Sequence, residues 1–89
     1  MPTISRFFGI AIRMHWREHG SAHFHAYYGG DKATIEIETL DLLAGRLPRR
    51  AMILVIEWAM IHRPELRDNW RRAQSREPLV QIPPLDEEV

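Results

Sequence analysis

Apolar and polar side chains alternate along two stretches near the start of the chain. In residues 8–16 every second residue is large and apolar, and in residues 22–28 apolar residues alternate with His23, His25 and Tyr27. A period of two is typical of strands that bury one face. Both stretches are therefore predicted to be β-strands, and the second strand carries its histidines and Tyr27 on one side.

A glycine pair separates the second strand from a third. Gly29 and Gly30 tolerate the positive φ angles that a two-residue hairpin turn requires. After them, residues 31–38 alternate again. If the glycines form the loop, each apolar residue of one strand faces an apolar residue of the other. The pattern predicts an antiparallel meander with one apolar face and one polar face.

The alternation also predicts the register of both hairpins. In the second hairpin Phe24 lies opposite Ile35, and His25 lies opposite Thr34. In the first hairpin the same parity places Arg13 opposite His25. A slip of one residue would move a whole strand's side chains to the wrong face. The predicted register is therefore the one that keeps apolar side chains together.

Two helices and a tail are predicted after the strands. Residues 48–63 contain no internal breaker and are apolar on almost every side, so the sheet can cover only one side of this helix. A second helix, the tail or another subunit must cover the rest. Pro64 suits the first turn of a second helix. Residues 39–47 are compatible with a fourth strand or a turn of helix.

The elements together predict one α+β domain, because 89 residues leave room for a single core. Residues 1–47 form the β meander, of three or four strands. Residues 48–76 form two helices packed on the apolar face of the sheet. Residues 77–89 contain prolines that exclude a helix, and they form an extended tail.

The amino-acid composition excludes several classes of protein. The chain has no cysteine, which excludes a disulfide framework and a thiolate metal site and suits a reducing compartment. No signal peptide is predicted, and no apolar run approaches the ~20 residues of a membrane span. We therefore expect a cytoplasmic protein that does not associate with a membrane.

The net charge is zero, but basic residues concentrate on the predicted helices. Lys32 is the sole lysine among twelve basic residues, and the others are arginines. Such a segment suits an anionic partner or self-complementary association, while the alternative is an ordinary solvated surface. The candidate binding residues on the helices are Arg49, Arg63, Arg67 and Arg71.

The residues best suited to catalysis or ligand binding lie on the polar face of the predicted sheet. One hypothesis is RNA cleavage without a metal, in which imidazole moves the 2′-hydroxyl proton and arginine stabilises the charge on phosphorus. The candidate catalytic residues are His23, His25, Arg13 and Tyr27. His15, from the neighbouring strand, is an additional candidate for binding.

Two other hypotheses explain the same histidines. A His-x-His strand projects both rings to one side, and His15 would complete a three-nitrogen zinc set. This motif is weak, so no metal ligand or cofactor is assigned from the sequence. The remaining hypothesis is structural: the histidines bond to their neighbours or lie under the tail.

Several segments resemble a known family across nearly the whole chain. They read "MPTISRFFGIAIRMHW", "HFHAYYGGDKA", "GRLPRRAMILVIEWAMIH" and "EPLVQIPPL". In this order they are similar to the small bacterial family named domain of unknown function 4160. Ser21 and Ala22 depart from it, since the family tends to carry prolines there. The matching residues are Arg6, Phe7, Phe8, Gly9, His23, Phe24, His25, Ala26, Pro48, Arg49, Trp58, Asn69 and Trp70.

The resemblance implies a role in a two-gene module of the toxin–antitoxin type. Members are often encoded beside another small domain, of unknown function 2442, which would be the protein partner. The leading expectation is therefore a toxin–antitoxin-like component that acts through this partner and binds or cleaves RNA without a metal. The alternatives are a non-enzymatic binding or homodimerisation module with structural histidines and, third, a zinc-binding protein.

Overall fold

The computed structural model describes residues 2–85. Within them the chain forms one open antiparallel sheet in the order β1-β2-β3-β4-β5, followed by two helices. The α+β prediction is confirmed, but the sheet has five strands where three or four were predicted. The elements are β1 (Thr3–Phe7), β2 (Ile10–Arg13), β3 (His23–Tyr28), β4 (Asp31–Glu36), β5 (Leu42–Gly45), α1 (Arg49–Ile61) and α2 (Arg63–Gln74).

The prediction of one continuous strand over residues 8–16 is wrong. Phe8 and Gly9 form a turn in which both have positive φ angles, 51° and 79°. Phe7 pairs with Ile10 across this turn, so β1 and β2 form a hairpin. Two positive φ angles are typical of the turn that suits the twist of a two-residue hairpin. Phenylalanine rarely adopts this conformation. The turn was therefore not predicted, because Phe8 and Gly9 fit the alternating pattern of a strand.

The predicted registers are confirmed at every pair that was named. Phe24 pairs with Ile35 and His25 with Thr34 between β3 and β4. Arg13 pairs with His25 between β2 and β3. The pairing between β2 and β3 ends at Arg13 and His25, so the residues between these two strands form a long loop.

The fifth strand resolves the alternative left open for residues 39–47. β5 pairs with β4, with Ala33 opposite Gly45. Gly45 has a φ of 74°, and a Cβ there would overlap the backbone carbonyl of Lys32. Only glycine tolerates both constraints. Gly45 therefore allows the last strand to lie close to β4 before the chain turns into α1.

The core lies between the apolar face of the sheet and the helices. Trp58 of α1 is fully buried, and its ring centroid lies 5.3 Å from that of Phe7 and 5.9 Å from that of Phe24. Val55 from α1 and Leu66 from α2 join the same cluster. Pro48 precedes the first residue of α1, where a missing backbone N–H costs nothing.

The segment after α2 runs back over the body of the protein. The Trp58 indole donates to the carbonyl of Pro83 at 2.9 Å, and the Ile82 amide donates to the carbonyl of Ile4 at 2.8 Å. Asn69 exchanges two hydrogen bonds with the backbone of Val80, both 2.8 Å long. The last part of the predicted tail, residues 86–89, lies outside the described residues.

One side of α1 remains open to solvent. Ile53 is 55% exposed and Met60 is 62% exposed, whereas Val55 and Trp58 on the other side are fully buried. In residues 2–85, no helix combines the length and apolar character that a bilayer crossing requires.

Candidate functional site

The two histidines of β3 lie on the face of the sheet opposite the main core. Their alternation was predicted correctly, and the face that carries them is covered. His23 is 8% exposed and His25 is 6% exposed. The indole of Trp70, from α2, covers His23 with a centroid separation of 5.0 Å. The loop between β2 and β3 covers the rest, so the imidazoles form a buried polar cluster.

Glu18 closes this cluster from the β2–β3 loop. Its Oε1 lies 2.8 Å from His25 Nε2 and 3.0 Å from His23 Nε2. Glu18 was not predicted as a site residue, because it lies among turn-forming residues that have no periodic pattern. The available signal was one carboxylate in a loop that must cross the histidine-bearing face.

The C-terminal end of α2 positions that loop. The Arg17 amide donates to the carbonyl of Ala73 at 3.2 Å, and the Gln74 side chain donates to the carbonyl of Glu18 at 3.0 Å. Arg17 and Gly20 have φ angles of 58° and 92°, which give the loop its sharp bends. Glu18 thus depends on contacts with residues more than fifty positions away in the sequence.

The other ring nitrogens of the two histidines also face oxygen atoms. His23 Nδ1 lies 2.7 Å from the carbonyl oxygen of Ser21. His25 Nδ1 lies 3.1 Å from the hydroxyl of Thr34, its partner in the β ladder. These contacts orient both rings, so that both Nε2 atoms point at the carboxylate of Glu18.

His15 extends the cluster toward β2. Its ring centroid lies 4.5 Å from that of His25, and the potential ligand atoms of His15, Glu18 and His25 lie within 4.8 Å of one another. Burial lowers the pKa of His15, and the neighbouring imidazole of His25 lowers it further. The three residues therefore form a compact nitrogen and oxygen donor set.

Glu18 is held in its charged form by the histidines. Burial alone would raise the pKa of its carboxyl group. The hydrogen bond from His25 and the nearby imidazoles of His25, His23 and His15 outweigh this effect, so the pKa lies below its ordinary value. The cluster is thus an anionic carboxylate surrounded by imidazoles.

A cation–aromatic stack borders the cluster. The guanidinium carbon of Arg13 lies 4.7 Å from the ring centroid of Tyr27, and the Lys32 ammonium lies 5.8 Å from it. Arg13 Nε is buried and has no hydrogen-bond partner in the described part of the chain. All the candidate catalytic residues from the sequence analysis thus lie on one surface.

Two of the four arginines predicted to bind an anionic partner already form hydrogen bonds within the protein. Arg63 donates to the carbonyl of Ile37 at 3.0 Å. Arg67 forms two hydrogen bonds with the carboxylate of Glu38, both 2.7 Å long. These contacts attach α2 to the end of β4 and the turn after it, and a phosphate would have to displace them.

The other two arginines proposed for binding lie apart from one another. Arg71 pairs with Asp68 and Glu77, at 3.2 Å in each case. Arg49 is exposed at the first residue of α1 and has no ion pair in the described residues. Three of the four arginines therefore already have partners within the protein.

An open depression lies beside the histidine cluster. Trp16, Arg17, His19 and Arg76 line it, and Trp16 is 45% exposed. The sequence analysis assigned Trp16 to the apolar face of a strand and did not identify this basic and aromatic surface. No local sequence pattern indicates this surface, because Arg76 follows α2 and is far from Trp16 along the chain.

Comparison with known proteins agrees with the resemblance seen in the sequence. No curated protein and no solved structure matches the chain. The model of one family, described as "Domain of unknown function (DUF4160)", matches residues 9–71, which include the histidine cluster and most of both helices. The chain therefore belongs to the family of domain of unknown function DUF4160.

Proposed function

We propose that this protein is a bacterial toxin–antitoxin-like component that works by binding a protein partner in the reducing cytoplasm. The observation that carries this proposal is an apolar stripe along the solvent side of α1. Met52, Ile53, Ile56 and Met60 follow one another at spacings of one, three and four, which places them on one face of the helix. This set is called the α1 stripe below.

The exposure of the α1 stripe supports a binding role. Ile53 and Met60 are both more than half exposed. Contiguous apolar side chains on a small domain are typical of interaction surfaces, whereas single exposed residues are not. Within residues 2–85 the tail contacts the side of α1 that carries Trp58, and Ile53 and Met60 stay exposed while Met52 and Ile56 are half-buried.

The charges beside the α1 stripe indicate what kind of partner fits. Arg49 and Arg50 are exposed in the first turn of α1, which contains no acidic residue. The positive end of the helix dipole lies at the same place. A partner that covers the stripe with apolar side chains and faces this end with carboxylates would be complementary. The partner implied by the family resemblance is the small protein encoded by the neighbouring gene.

Co-expression with that neighbouring protein tests the proposal. We expect the two chains to purify as one complex, and we expect Ile53→Glu to abolish it because a carboxylate would be buried at the interface. Val80→Glu is the matched control, since Val80 is 48% exposed and lies in the tail, outside the stripe. Size-exclusion chromatography with light scattering measures both outcomes.

Three results would overturn this proposal. In the first the complex persists in Ile53→Glu, and in the second no complex forms at all. A chain that forms homodimers alone, through the α1 stripe, would also replace the proposed partner with a second copy. Exposed Glu57 could then face Arg49 or Arg50 of the other copy.

RNA binding is a second candidate function, supported by a different surface. The stack of Arg13, Tyr27 and Lys32 offers a ring and two cations, and the depression lined by Trp16 and Arg17 adds another ring and further charge. Cleavage is less well supported, because both histidine Nε2 atoms face Glu18. Fluorescence anisotropy with a single-stranded RNA should detect binding that Tyr27→Ala weakens, and unchanged binding in this variant would contradict it.

A further inference from the structure

The polar cluster contains three side chains whose potential ligand atoms converge, and a fourth, His23, that contacts one of them. The donor atoms of His15, Glu18 and His25 lie within 4.8 Å of one another, and His23 Nε2 lies 3.0 Å from the same carboxylate oxygen. We propose that this cluster binds one zinc-like divalent cation through three imidazole nitrogens and one carboxylate oxygen. This site is independent of the α1 stripe.

The hydrogen bonds of His23 supply the strongest argument. The carbonyl of Ser21 can only accept, so the Nδ1 atom that lies 2.7 Å from it must carry the hydrogen. In neutral His23 the lone pair of Nε2 then faces the charged oxygen of Glu18 at 3.0 Å. Two electron pairs directed at each other repel. A proton between them removes this conflict at the observed distance, and a metal ion removes it once the two atoms lie roughly 3.3 Å apart.

His25 is compatible with either state of the cluster. Its Nδ1 faces the hydroxyl of Thr34, which can donate or accept. Its Nε2 is therefore free to donate a hydrogen to Glu18 in the metal-free protein or to present a lone pair to a metal ion. The ring does not have to rotate between these states.

The partners of both Nδ1 atoms match the surroundings of metal-binding histidines. A histidine that ligates a metal almost always donates its other ring N–H to a carbonyl, carboxylate or water, which fixes the ring. Ser21 provides a carbonyl for His23, and Thr34 provides a hydroxyl for His25. The second layer of contacts is therefore already in place.

The donor types and spacing indicate which ions fit. Zinc prefers four ligands at about 2.0–2.2 Å, so its ligand atoms lie roughly 3.3 Å apart. The spacing in the cluster brackets this value, since the two distances from imidazole to carboxylate are 2.8 and 3.0 Å and the donor atoms of His15, Glu18 and His25 lie within 4.8 Å of one another. Imidazole nitrogen favours zinc, copper, nickel and cobalt over magnesium and calcium, which require oxygen ligands.

Four protein ligands would leave no open position on the metal ion. Such closed sites are structural, whereas catalytic zinc sites keep a place for water. The ion would join the β2–β3 loop, which carries Glu18, to His23 and His25 on β3. We therefore expect it to stabilise the fold.

Zinc titration of the purified full chain tests the site. After removal of metal with a chelator, we expect isothermal calorimetry and elemental analysis to give one zinc ion per chain, with a higher melting temperature. Cobalt should give the visible absorption of a tetrahedral ion. Glu18→Gln and His15→Ala remove ligands outside the main core, and each should weaken zinc binding by at least about tenfold.

A matched control variant comes from the same loop. His19 is exposed and does not face the cluster's carboxylate, so His19→Ala should bind zinc as the unchanged chain does. The proposal is overturned if no zinc binds, or if Glu18→Gln and His19→Ala behave alike. Circular dichroism on each variant separates loss of ligand from loss of fold. Partner binding through the α1 stripe is measured separately, so the failure of one proposal does not imply the failure of the other.

Discussion

The histidine cluster and the α1 stripe show opposite relations between chemistry and exposure. His23 and His25 are polar and buried, and each of their ring nitrogens has an oxygen partner within the protein. Ile53 and Met60 are apolar and exposed, and nothing in the described chain covers them.

The difference separates two kinds of role within one small domain. A buried polar group is costly unless it is fully hydrogen-bonded, so the cluster must be built as a unit with its loop. An exposed apolar side chain costs little in the free protein and becomes favourable when a partner removes it from water. We therefore expect the cluster to affect the stability of the fold and the binding of a ligand. We expect the α1 stripe to affect association with a protein partner.

The largest expected effect is the loss of a histidine from the cluster. His25→Ala removes a buried ring, leaves the Thr34 hydroxyl without this partner and leaves Glu18 with His23 alone, so we expect the free energy of unfolding to fall by about 2–3 kcal/mol. Urea denaturation measures it, and His19→Ala is the exposed control. A catalytic histidine without a structural role would instead leave the unfolding free energy unchanged and abolish RNA cleavage.

The two sides of α1 should differ when one side chain on each is truncated. Val55 is fully buried, so Val55→Ala should lower the free energy of unfolding by about 2 kcal/mol. Ile53→Ala should change it by less than about 0.5 kcal/mol, because the side chain is already in water. Equal losses in urea denaturation would mean that the α1 stripe is packed and not available to a partner.

The smallest expected effect concerns the exposed ion pair between Arg67 of α2 and Glu38. The hydrogen bonds from Arg67 lower the pKa of Glu38, so this pair contributes stability above the ordinary glutamate pKa. The contribution is lost as the pH falls through the lowered pKa. Carboxyl NMR should find the pKa of Glu38 below its ordinary value in the unchanged chain and closer to it in Arg67→Gln.

The pKa of Glu38 in the two proteins also tests whether Arg67 is available to bind an anionic partner. Glu38 and Arg67 are both about half exposed, so water screens their attraction and the effect on stability is small. If the pKa of Glu38 is the same in both proteins, the pair does not persist in solution. Arg67 would then be free for an anionic ligand.

Much of the sheet could be predicted because its information is local. The glycine turn and the period of two determine which residues of β3 and β4 face each other, and the structure has those pairs. β1 was missed because its turn uses Phe8 at a φ of 51°, which the residue type does not suggest. β5 remained ambiguous because its place depends on the close approach of Gly45 to β4.

The candidate site was predicted only in part for a related reason. The side on which His23 and His25 lie follows from their spacing, but what covers them does not. Glu18 reaches them because α2 holds its loop through Ala73 and Gln74, and Trp70 of the same helix packs on His23. Contacts between residues so far apart in the chain have no pattern in a single sequence.

Hydroxyl-radical footprinting of the isolated chain, read by mass spectrometry, tests the contrast between the two regions most directly. Met60 and His19 should be oxidised quickly because they are exposed, whereas Met14, His23 and His25 should be protected. Oxidation of His23 and His25 at the rate of His19 would contradict the buried cluster closed by Glu18.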